Sequence, residues 1–298
     1  MPVVNVASQG EFIIDKTFQL GGRTLALYTN GLVQEITDFD GVYDYESIEL
    51  PEPIVLVEPT DFANASDEQI SSVIARAKIN KINLHDYWTV GDTRTVTLPA
   101  MTASGVGESH VSQDVEYVIL HDFTKDGALG GIQPASGSIG FLIGQKDCLK
   151  EGGYMNSTNT NSGSWNSSAR RTWCNNTYYN ALPTYFKNNA VNMSIITAAT
   201  YNGSSNQTTT DKVALFAEGE IFDARSQSNQ TEYNALTQVQ YYKTAANRIK
   251  KLNGSANAWW ERSPYYSYAT AFCLVNNNGS ANYAGASYTH GLAPFFCI

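Results

Sequence analysis

The chain has 298 residues, a mass of 32.6 kDa and a formal net charge of −9. Charged residues make up 16% of it and aromatic residues 12%, which is typical of an ordered protein with β-structure and a polar surface rather than of a disordered chain. Phosphate binding needs clustered Lys and Arg, so the acidic balance excludes nucleic acid as an expected partner. No run of about twenty apolar residues occurs, and we expect no membrane insertion.

Residues 1–60 contain short apolar runs separated by glycine turns. The turn signals are Gly21-Gly22, Asn30-Gly31 and Asp40-Gly41, each typical of a tight connection between strands. The segment has no basic leader followed by an apolar core, so we expect no secretory signal. It is too small to enclose a large core alone. We interpret residues 1–60 as a small β-rich attachment module.

Residues 61–85 carry the clearest helix signal of the chain. Ser66-Asp67-Glu68-Gln69 is a capping box, in which the Ser hydroxyl and the Gln side chain can each bond a backbone amide of the other residue. Apolar residues follow at helical spacing, namely Ile70, Val73, Ile74 and Ala77. The pattern predicts a helix over 67–80, which we interpret as the connection to the rest of the chain.

Residues 86–298 combine short strands, a few helices and long polar loops, the pattern of an α+β domain. Tyr87–Val90 and Arg94–Leu98 predict a β-hairpin around the turn Gly91-Asp92. Further strands are predicted over 115–120, 139–143, 194–197 and 213–216, helices over 169–179 and 238–252, and polar loops over 152–164 and 202–210. The first of these helices should bury Trp173, Cys174 and Tyr178. The second should end in a solvated basic cluster formed by Arg248, Lys250 and Lys251.

No pattern typical of a catalytic or metal site is evident. A nucleophile motif surrounds none of the histidines, which are His85, His110, His121 and His290. Glu218 and Glu220 follow a predicted strand and are expected to begin a helix. Free buried thiols are expected at the cysteines, which are Cys148, Cys174, Cys273 and Cys297. Calcium takes about six to eight oxygens. Between residues 253 and 298 only Glu261 supplies a carboxylate, so we expect no metal and no cofactor.

Residues 259–298, here called the tyrosine-rich stretch, are unlike the rest of the chain. Glu261 and Arg262 are their only charged residues, and the middle consists mainly of Tyr, Asn, Ser, Ala and Gly. Binding loops favour this composition because Tyr supplies contact area with few torsions to fix, while Ser, Gly and Asn adapt their hydrogen bonds. An ordinary Tyr-rich sheet or loop would have the same composition. Strands are predicted near 271–276, 280–284 and 292–297, with a turn at Asn278-Gly279.

Several motifs resemble a known family. They are WWERSP at 259–264, FCLV at 272–275 and GLAPFFCI at 291–298, with WTVGDTR at 88–94, GYMN at 153–156, ARRTWCN at 169–175 and YYKTAANR at 241–248 upstream. Over about residues 86–298 the chain resembles the variable proteins of diversity-generating retroelements, in the branch found in tailed phages and prophages of gut bacteria. The resemblance implies a C-type-lectin-like fold whose C-terminal strands and loops display a diversified surface.

The resemblance also implies which residues bind ligand. They lie between fixed motif positions and are Tyr266, Tyr268, Ala271, Leu274, Asn276, Asn278, Ser280, Asn282, Tyr283, Gly285, Tyr288 and His290. Leu274 and Asn276 alternate with Val275, so we expect one set to point outward and the other inward. The fixed positions Trp259, Trp260, Phe272 and Phe295 should be buried.

The function implied is that of a phage tail-fibre or other virion receptor-binding protein. Its partner would be a bacterial cell-surface protein or glycan, the attachment module would contact other virion proteins, and the assembly would be a homotrimer. We expect no enzymatic activity. Two alternatives are a surface ligand-binding protein outside phages and an oxidase of the formylglycine-generating type, which shares the fold class and would use Cys273 and Cys297.

Overall fold

The computed structural model describes residues 14–20, 23–28, 33–36, 61–79, 82–102 and 108–298. The chain divides into two compact units, Met1–Val55 and Leu56–Ile298. In the first unit, strands β1 (Ile14–Leu20), β2 (Arg23–Tyr28) and β3 (Val33–Ile36) form an antiparallel sheet in that order. Short strands in this region were expected. The predicted turns at residues 21–22, 30–31 and 40–41 lie outside the described residues.

The larger unit begins its described part with helix α1 (Asp67–Lys78), and the predicted capping box is present. The Ser66 hydroxyl accepts the Gln69 N–H at 3.2 Å, and the Gln69 side chain accepts the Ser66 N–H at 2.7 Å. The helix buries Ile70, Val73 and Ile74 in the main core. The helix expected to connect the two modules is therefore packed into the larger unit.

The remaining elements of the larger unit are given in chain order. The strands are β4 (Thr93–Leu98), β5 (Gln113–Asp122), β6 (Ile132–Pro134), β7 (Phe141–Gln145), β8 (Met193–Ala198), β9 (Asn206–Asp211), β10 (Val213–Ala214), β11 (Lys250–Leu252), β12 (Ser255–Asn257), β13 (Trp259–Pro264), β14 (Ala271–Val275), β15 (Ala281–Gly285) and β16 (Phe295–Cys297). The helices are α2 (Ala169–Trp173), α3 (Tyr179–Ala181), α4 (Thr184–Lys187), α5 (Glu218–Ile221) and α6 (Gln230–Asn234). Helices together with antiparallel sheets make the protein α+β.

A five-stranded antiparallel sheet, in the order β10-β16-β7-β5-β4, forms the centre of the unit. Its closing strand β16 lies between β7 and β10, so that Phe296 is opposite both Ile143 and Val213. The C-terminal strand is thus an internal strand of the sheet. Phe295 stacks on Phe216 with ring centroids 4.2 Å apart, and both rings are buried.

The helix predicted over 169–179 is confirmed. A π-helical turn over Cys174–Tyr178 joins α2 and α3 into one continuous helical segment. Trp173, Cys174 and Tyr178 are fully buried, as expected. The phenol of Tyr178 reaches Tyr117 of β5 at 2.8 Å, which ties the segment to the central sheet.

The hairpin predicted over 87–98 is wrong. Strand β4 pairs with β5, and residues 87–90 form no strand. Asp92 instead accepts the N–H of Thr89 at 2.8 Å and closes a turn, while the Gly91 N–H donates to the carbonyl of Ile119. Gly91 has φ +102°, which a residue with a side chain rarely adopts. The Gly-Asp pair therefore turns the chain onto β5 instead of joining two strands.

The helix predicted over 238–252 is also wrong. Two 3₁₀ turns, Gln240–Lys243 and Ala245–Arg248, precede the hairpin of β11 and β12, whose turn is Asn253-Gly254. Both turn residues have positive φ, the conformation that favours Asn-Gly in hairpins. Lys250 is fully buried, and its ammonium donates to the carbonyls of Gln145 and Lys146. The basic cluster is therefore not a solvated helix end.

Two smaller predictions differ in detail. The polar loop predicted over 202–210 is partly strand, because β9 pairs with β8 from Asn206 onward. Glu218 and Glu220 do begin a helix, α5, but both side chains are fully buried. The helix was expected, but the burial of its first-turn carboxylates was not, and it bears on the candidate site.

Candidate ligand-binding surface

Strands β13, β14 and β15 form a separate antiparallel sheet, in that order, which contains most of the tyrosine-rich stretch. Trp259 pairs with Val275, and Cys273 pairs with Tyr283. All residues of β13 and β14 are buried, whereas β15 is partly exposed. Trp259, Trp260 and Phe272 have no measurable exposure, as expected for fixed core positions, and neither has Phe295 of β16.

Four tyrosines meet at one end of this sheet and form what we call the tyrosine cluster: Tyr265, Tyr266, Tyr268 and Tyr283. The Tyr265 ring stacks on Tyr283 with centroids 3.7 Å apart and lies 5.1 Å from Tyr266 and 5.3 Å from Tyr268. Tyr265 is 8% exposed, but the other three are 42%, 54% and 37% exposed. One buried ring thus supports three exposed ones. Tyr288 is 59% exposed and makes no ring contact with the cluster among the described residues.

The polar loop over 152–164 is hydrogen-bonded to the backbone of the segment that carries the tyrosine cluster. The buried Asn161 donates its amide to the carbonyls of Tyr268 and Ala271, at 2.9 and 2.7 Å. Its own N–H donates to the carbonyl of Ala269. Asn159 accepts both the N–H and the hydroxyl of Ser287. No sequence pattern predicts these contacts, since Asn and Ser in a long loop are normally solvated.

The structure places Ala271 and Leu274 in the interior, at 3% and 2% exposure. The expected alternation along this strand is therefore wrong. Strand β14 lies between β13 and β15 and is covered on both faces, with Leu274 in the main core and Cys273 packed with Tyr265 in a second apolar cluster. Alternation between buried and solvated residues requires one face of a sheet to meet water.

His290 is half-buried rather than freely displayed. Its ring meets Trp260 edge to face with centroids 4.9 Å apart, and its Nε2 is buried without a hydrogen-bond partner. Burial lowers the pKa of His290, so the ring is neutral at pH 7. Its backbone pairs with Gly153, which joins the tyrosine-rich stretch to the polar loop.

The other expected contact residues lie at or near the β14–β15 turn and along β15. Asn278 and Ser280 are exposed, and Asn276, Asn282 and Gly285 are half-buried. The Asn278 side chain accepts the N–H of Ser280 at 3.0 Å and its hydroxyl at 2.6 Å. Gly279 has φ +83°, so the predicted Asn278-Gly279 turn is confirmed.

Five ionisable side chains with no measurable exposure form what we call the buried charge cluster: Glu218, Glu220, Glu232, Glu261 and Arg262. Arg262 of β13 binds both carboxylate oxygens of Glu220, at 2.5 and 2.6 Å. Its guanidinium also donates to the carbonyls of Leu215 and Ile196. The cluster therefore contains one cation and four acidic side chains, and the cation pairs directly with Glu220.

Burial, together with the excess of acids, raises pKa values in the cluster. Burial raises the pKa of Glu261 well above its usual range, with Glu218 and Glu232 adding to the effect, and neither carboxyl oxygen of Glu261 has a hydrogen-bond partner. Burial raises the pKa of Glu232 to about 8. Burial, with Glu261 next in importance, also raises the pKa of the Cys273 thiol. We infer that Glu261, Glu232 and Cys273 are protonated at neutral pH.

No described part of the chain brings together three or more His, Cys, Asp or Glu side chains that could hold a metal. Two polar clefts of about 380 and 560 Å³ lie beside His85, and none of their lining residues belongs to the tyrosine-rich stretch. None of the described helices is long and apolar enough to cross a membrane.

The geometry defines an α+β domain that presents the tyrosine cluster at one end of a sheet whose strands β13 and β14 are fully buried. Residues 140–298 match the model of a family described as a domain of unknown function, DUF6273. The match covers more than half of the chain, and the chain belongs to this family. It includes the tyrosine cluster and the buried charge cluster. Searches of curated proteins and of solved structures find no significant match.

Proposed function

We propose that this protein is a receptor-binding protein of a phage virion, of the type diversified by retroelements. Residues 86–298 would form a C-type-lectin-like domain that binds a bacterial cell-surface protein or glycan. The observation that carries the proposal is the contrast within one stretch of chain. Tyr266, Tyr268 and Tyr283 are exposed and in contact with Tyr265, whereas the neighbouring strands β13 and β14 are fully buried.

This contrast suits recognition for a physical reason. Binding energy concentrates in a few aromatic anchors, and truncation of one commonly costs about 2 kcal/mol or more. Tyr gives such an anchor at low entropic cost because it has only two torsions to fix. The buried strands keep the backbone in place when exposed side chains change. Exposed rings on a rigid sheet therefore combine affinity with tolerance to substitution.

Attachment and assembly belong to the same proposal. The N-terminal unit, with its three-stranded sheet, would attach the protein to other virion proteins. We propose a homotrimer, since several copies of a weak site on one particle raise the effective binding strength without any new contact.

Of the two alternatives, the oxidase receives no support from the thiol geometry. Cys273 and Cys297 belong to different clusters of buried side chains. Burial raises the pKa of Cys297 to about 12 and that of Cys273 well above its usual range. The thiolate is the reactive form of cysteine, so these positions favour inert core thiols. A surface ligand-binding protein outside phages would use the same tyrosine cluster. This alternative and the proposal differ in whether a phage particle or another surface carries the protein.

The proposal is tested with the combined variant Tyr266→Ala, Tyr268→Ala, Tyr283→Ala on the particle or assembly. We expect normal folding and lost adsorption to host cells. The matched control is Ile79→Ala, Val111→Ala, which removes two exposed apolar side chains outside the tyrosine-rich stretch and should adsorb normally. EDTA should leave adsorption unchanged. Adsorption that survives in the triple variant, or that EDTA abolishes, would place recognition elsewhere.

A further inference from the structure

A loop outside the tyrosine-rich stretch forms one edge of the tyrosine cluster. This loop, residues 223–228 and here called the Arg225 loop, pairs with the chain at Tyr265 through an antiparallel bridge at Ser228. The N–H of Tyr266 donates to the carbonyl of Gln227 at 3.0 Å. The Arg225 loop therefore extends the surface that the cluster presents.

Glu218 of the buried charge cluster accepts hydrogen bonds from the Arg225 loop on the interior side of the loop. The Glu218 carboxylate accepts the N–H groups of Ser226, Gln227 and Ser228 at 3.0, 2.6 and 2.7 Å, and also the Ser228 hydroxyl at 2.5 Å. Hydrogen bonds to a carboxylate are among the strong ones in proteins. Four of them on one fully buried side chain give the loop a defined shape at the protein surface.

Arg225 is exposed but already oriented. Its Nη1 donates to the Ser228 carbonyl at 2.9 Å, and its guanidinium carbon lies 5.4 Å from the centre of the Tyr266 ring. Nε and Nη2 make no hydrogen bond to the described residues. These two atoms form one edge of the guanidinium fork, whose spacing matches the two oxygens of a carboxylate or phosphate group.

The charge around Arg225 is unusual. Residues 263–298 contain no Asp, Glu, Lys or Arg. No other Lys or Arg in the described chain lies over a ring of the tyrosine cluster. The acidic residue of the Arg225 loop is Asp223, whose carboxylate lies 3.9 Å from the guanidinium of Arg248. Arg225 thus adds one positive charge beside the tyrosine cluster, whose own polar groups are uncharged phenols.

We propose that Arg225 is a fixed contact of the binding surface and that the ligand is an acidic glycan. This inference rests on the proposed function and names the ligand class. A carboxylate or phosphate of the glycan binds Nε and Nη2 of Arg225. Sugar rings pack on the exposed faces of Tyr266 and Tyr268, and their hydroxyls bond the phenol groups of the tyrosine cluster.

The test uses an array of bacterial surface polysaccharides probed with the whole protein. Each acidic glycan is printed beside a carboxyl-reduced copy or, where it carries phosphate, a dephosphorylated copy. We expect binding to at least one acidic glycan and loss of binding to its neutralised copy. Which copy loses binding tells whether the acidic group is a carboxylate or a phosphate. Binding should also weaken between about 50 and 500 mM salt because the contact is exposed.

The matched variants are Arg225→Gln, Arg225→Lys and the control Ile79→Ala. Arg225→Gln should weaken binding to the acidic glycan about tenfold or more, a change of about 1.4 kcal/mol. Arg225→Lys should be intermediate, because Lys keeps the charge but loses the two-pronged geometry. Ile79→Ala should bind as the parent protein does. The Tyr266→Ala, Tyr268→Ala, Tyr283→Ala variant, run in parallel, reports on the tyrosine cluster itself.

Three outcomes overturn the inference. The first is unchanged binding by Arg225→Gln together with loss in the triple tyrosine variant, which keeps the proposed function and rejects the acidic ligand. The second is binding to neutral glycans only, or to no glycan on the array. The third is adsorption to cells that protease treatment abolishes and polysaccharide removal does not, which identifies a protein ligand.

Discussion

Two glutamates of the buried charge cluster differ in their hydrogen bonds: Glu220 is paired and Glu261 is not. The same substitution made at each position tests this difference. Glu220 binds Arg262 through both oxygens and accepts the N–H of Ala217 at 2.9 Å. Glu261 has no hydrogen-bond partner at either oxygen. Both are fully buried. The change Glu→Gln keeps the shape of each side chain and removes its acidity, so the environments alone decide the outcome.

Glu220→Gln should be severely destabilising. It leaves Arg262 as a buried cation without its charge partner and points an amide N–H₂ toward the guanidinium. Breaking one side of a buried ion pair costs about 3–5 kcal/mol. A change of 1 kcal/mol shifts the melting temperature of a unit of this size by roughly 2–4 °C. We expect the melting temperature to fall by roughly 6–20 °C at pH 5 and at pH 8.

Glu261→Gln should behave differently and depend on pH. Burial raises the pKa of Glu261, with Glu218 next in importance, so the folded protein keeps the proton that the unfolded chain releases near pH 4.3. The stability contributed by this proton is complete below that pH and is lost as the pH rises through the folded-state pKa. Gln has no proton to lose. The variant should therefore gain stability relative to the parent protein between pH 5 and pH 8.

Thermal and urea unfolding of both variants at pH 5 and pH 8 decide the matter. The expected result is a large loss for Glu220→Gln at both pH values and a pH-dependent relative gain for Glu261→Gln. If Glu261→Gln instead costs as much as Glu220→Gln at both pH values, Glu261 is an ionised and paired side chain, and the reading of the cluster is refuted.

Three further predictions concern stability and assembly. Trp260→Ala should lower the free energy of unfolding by about 3–5 kcal/mol because the ring is fully buried, whereas Tyr268→Ala should change it by no more than about 0.5 kcal/mol. Equal sensitivity of the two variants to urea would refute this difference. Burial raises the pKa of Glu232 to about 8, so this side chain contributes a loss of stability of at most about 4 kcal/mol between pH 5 and pH 8. Glu232→Gln should remove that contribution, and a pH profile parallel to that of the parent protein would contradict it. Light scattering should give a trimer of the 32.6 kDa chain, and a monomer mass at micromolar concentration would reject the trimer.

Local signals were sufficient for part of the fold. The capping box at Ser66 fixes where α1 begins, because its two hydrogen bonds involve residues three apart. The helical segment from Ala169 was predictable from its buried side, Trp173, Cys174 and Tyr178, which follow one face. Regions with this kind of short-range pattern need no knowledge of distant contacts.

The failures arise where distant contacts decide. Residues 238–252 contain good helix formers, yet the end of this segment forms a hairpin. Asn253 and Gly254 adopt positive φ in its turn, and the Lys250 ammonium donates to the carbonyls of Gln145 and Lys146. Neither acceptor can be identified from the local sequence. Long-range partners therefore outweigh helix propensity in this segment.

The same division applies to the candidate site. Composition indicated exposed tyrosines in residues 259–298, and Tyr266, Tyr268, Tyr283 and Tyr288 are exposed. Composition did not indicate Arg225 or Glu218, since their contribution depends on a loop that reaches the cluster only in the folded chain. A lone Arg in a polar loop, and a Glu after a strand, have many ordinary explanations in sequence alone.

Main-chain hydrogen bonds hold residues 265–271, and under the proposed function they would allow the side chains of Tyr266 and Tyr268 to vary. Tyr266 donates its backbone N–H to Gln227, and Tyr268 offers its backbone carbonyl to Asn161. Tyr265 likewise donates its N–H to the Ala271 carbonyl. These contacts use main-chain atoms, which every residue except Pro supplies in full. Glu218 holds the loop that contains Gln227, and Asn161 is itself buried. A change at Tyr266 or Tyr268 should therefore alter the side chains that this surface presents without altering its backbone.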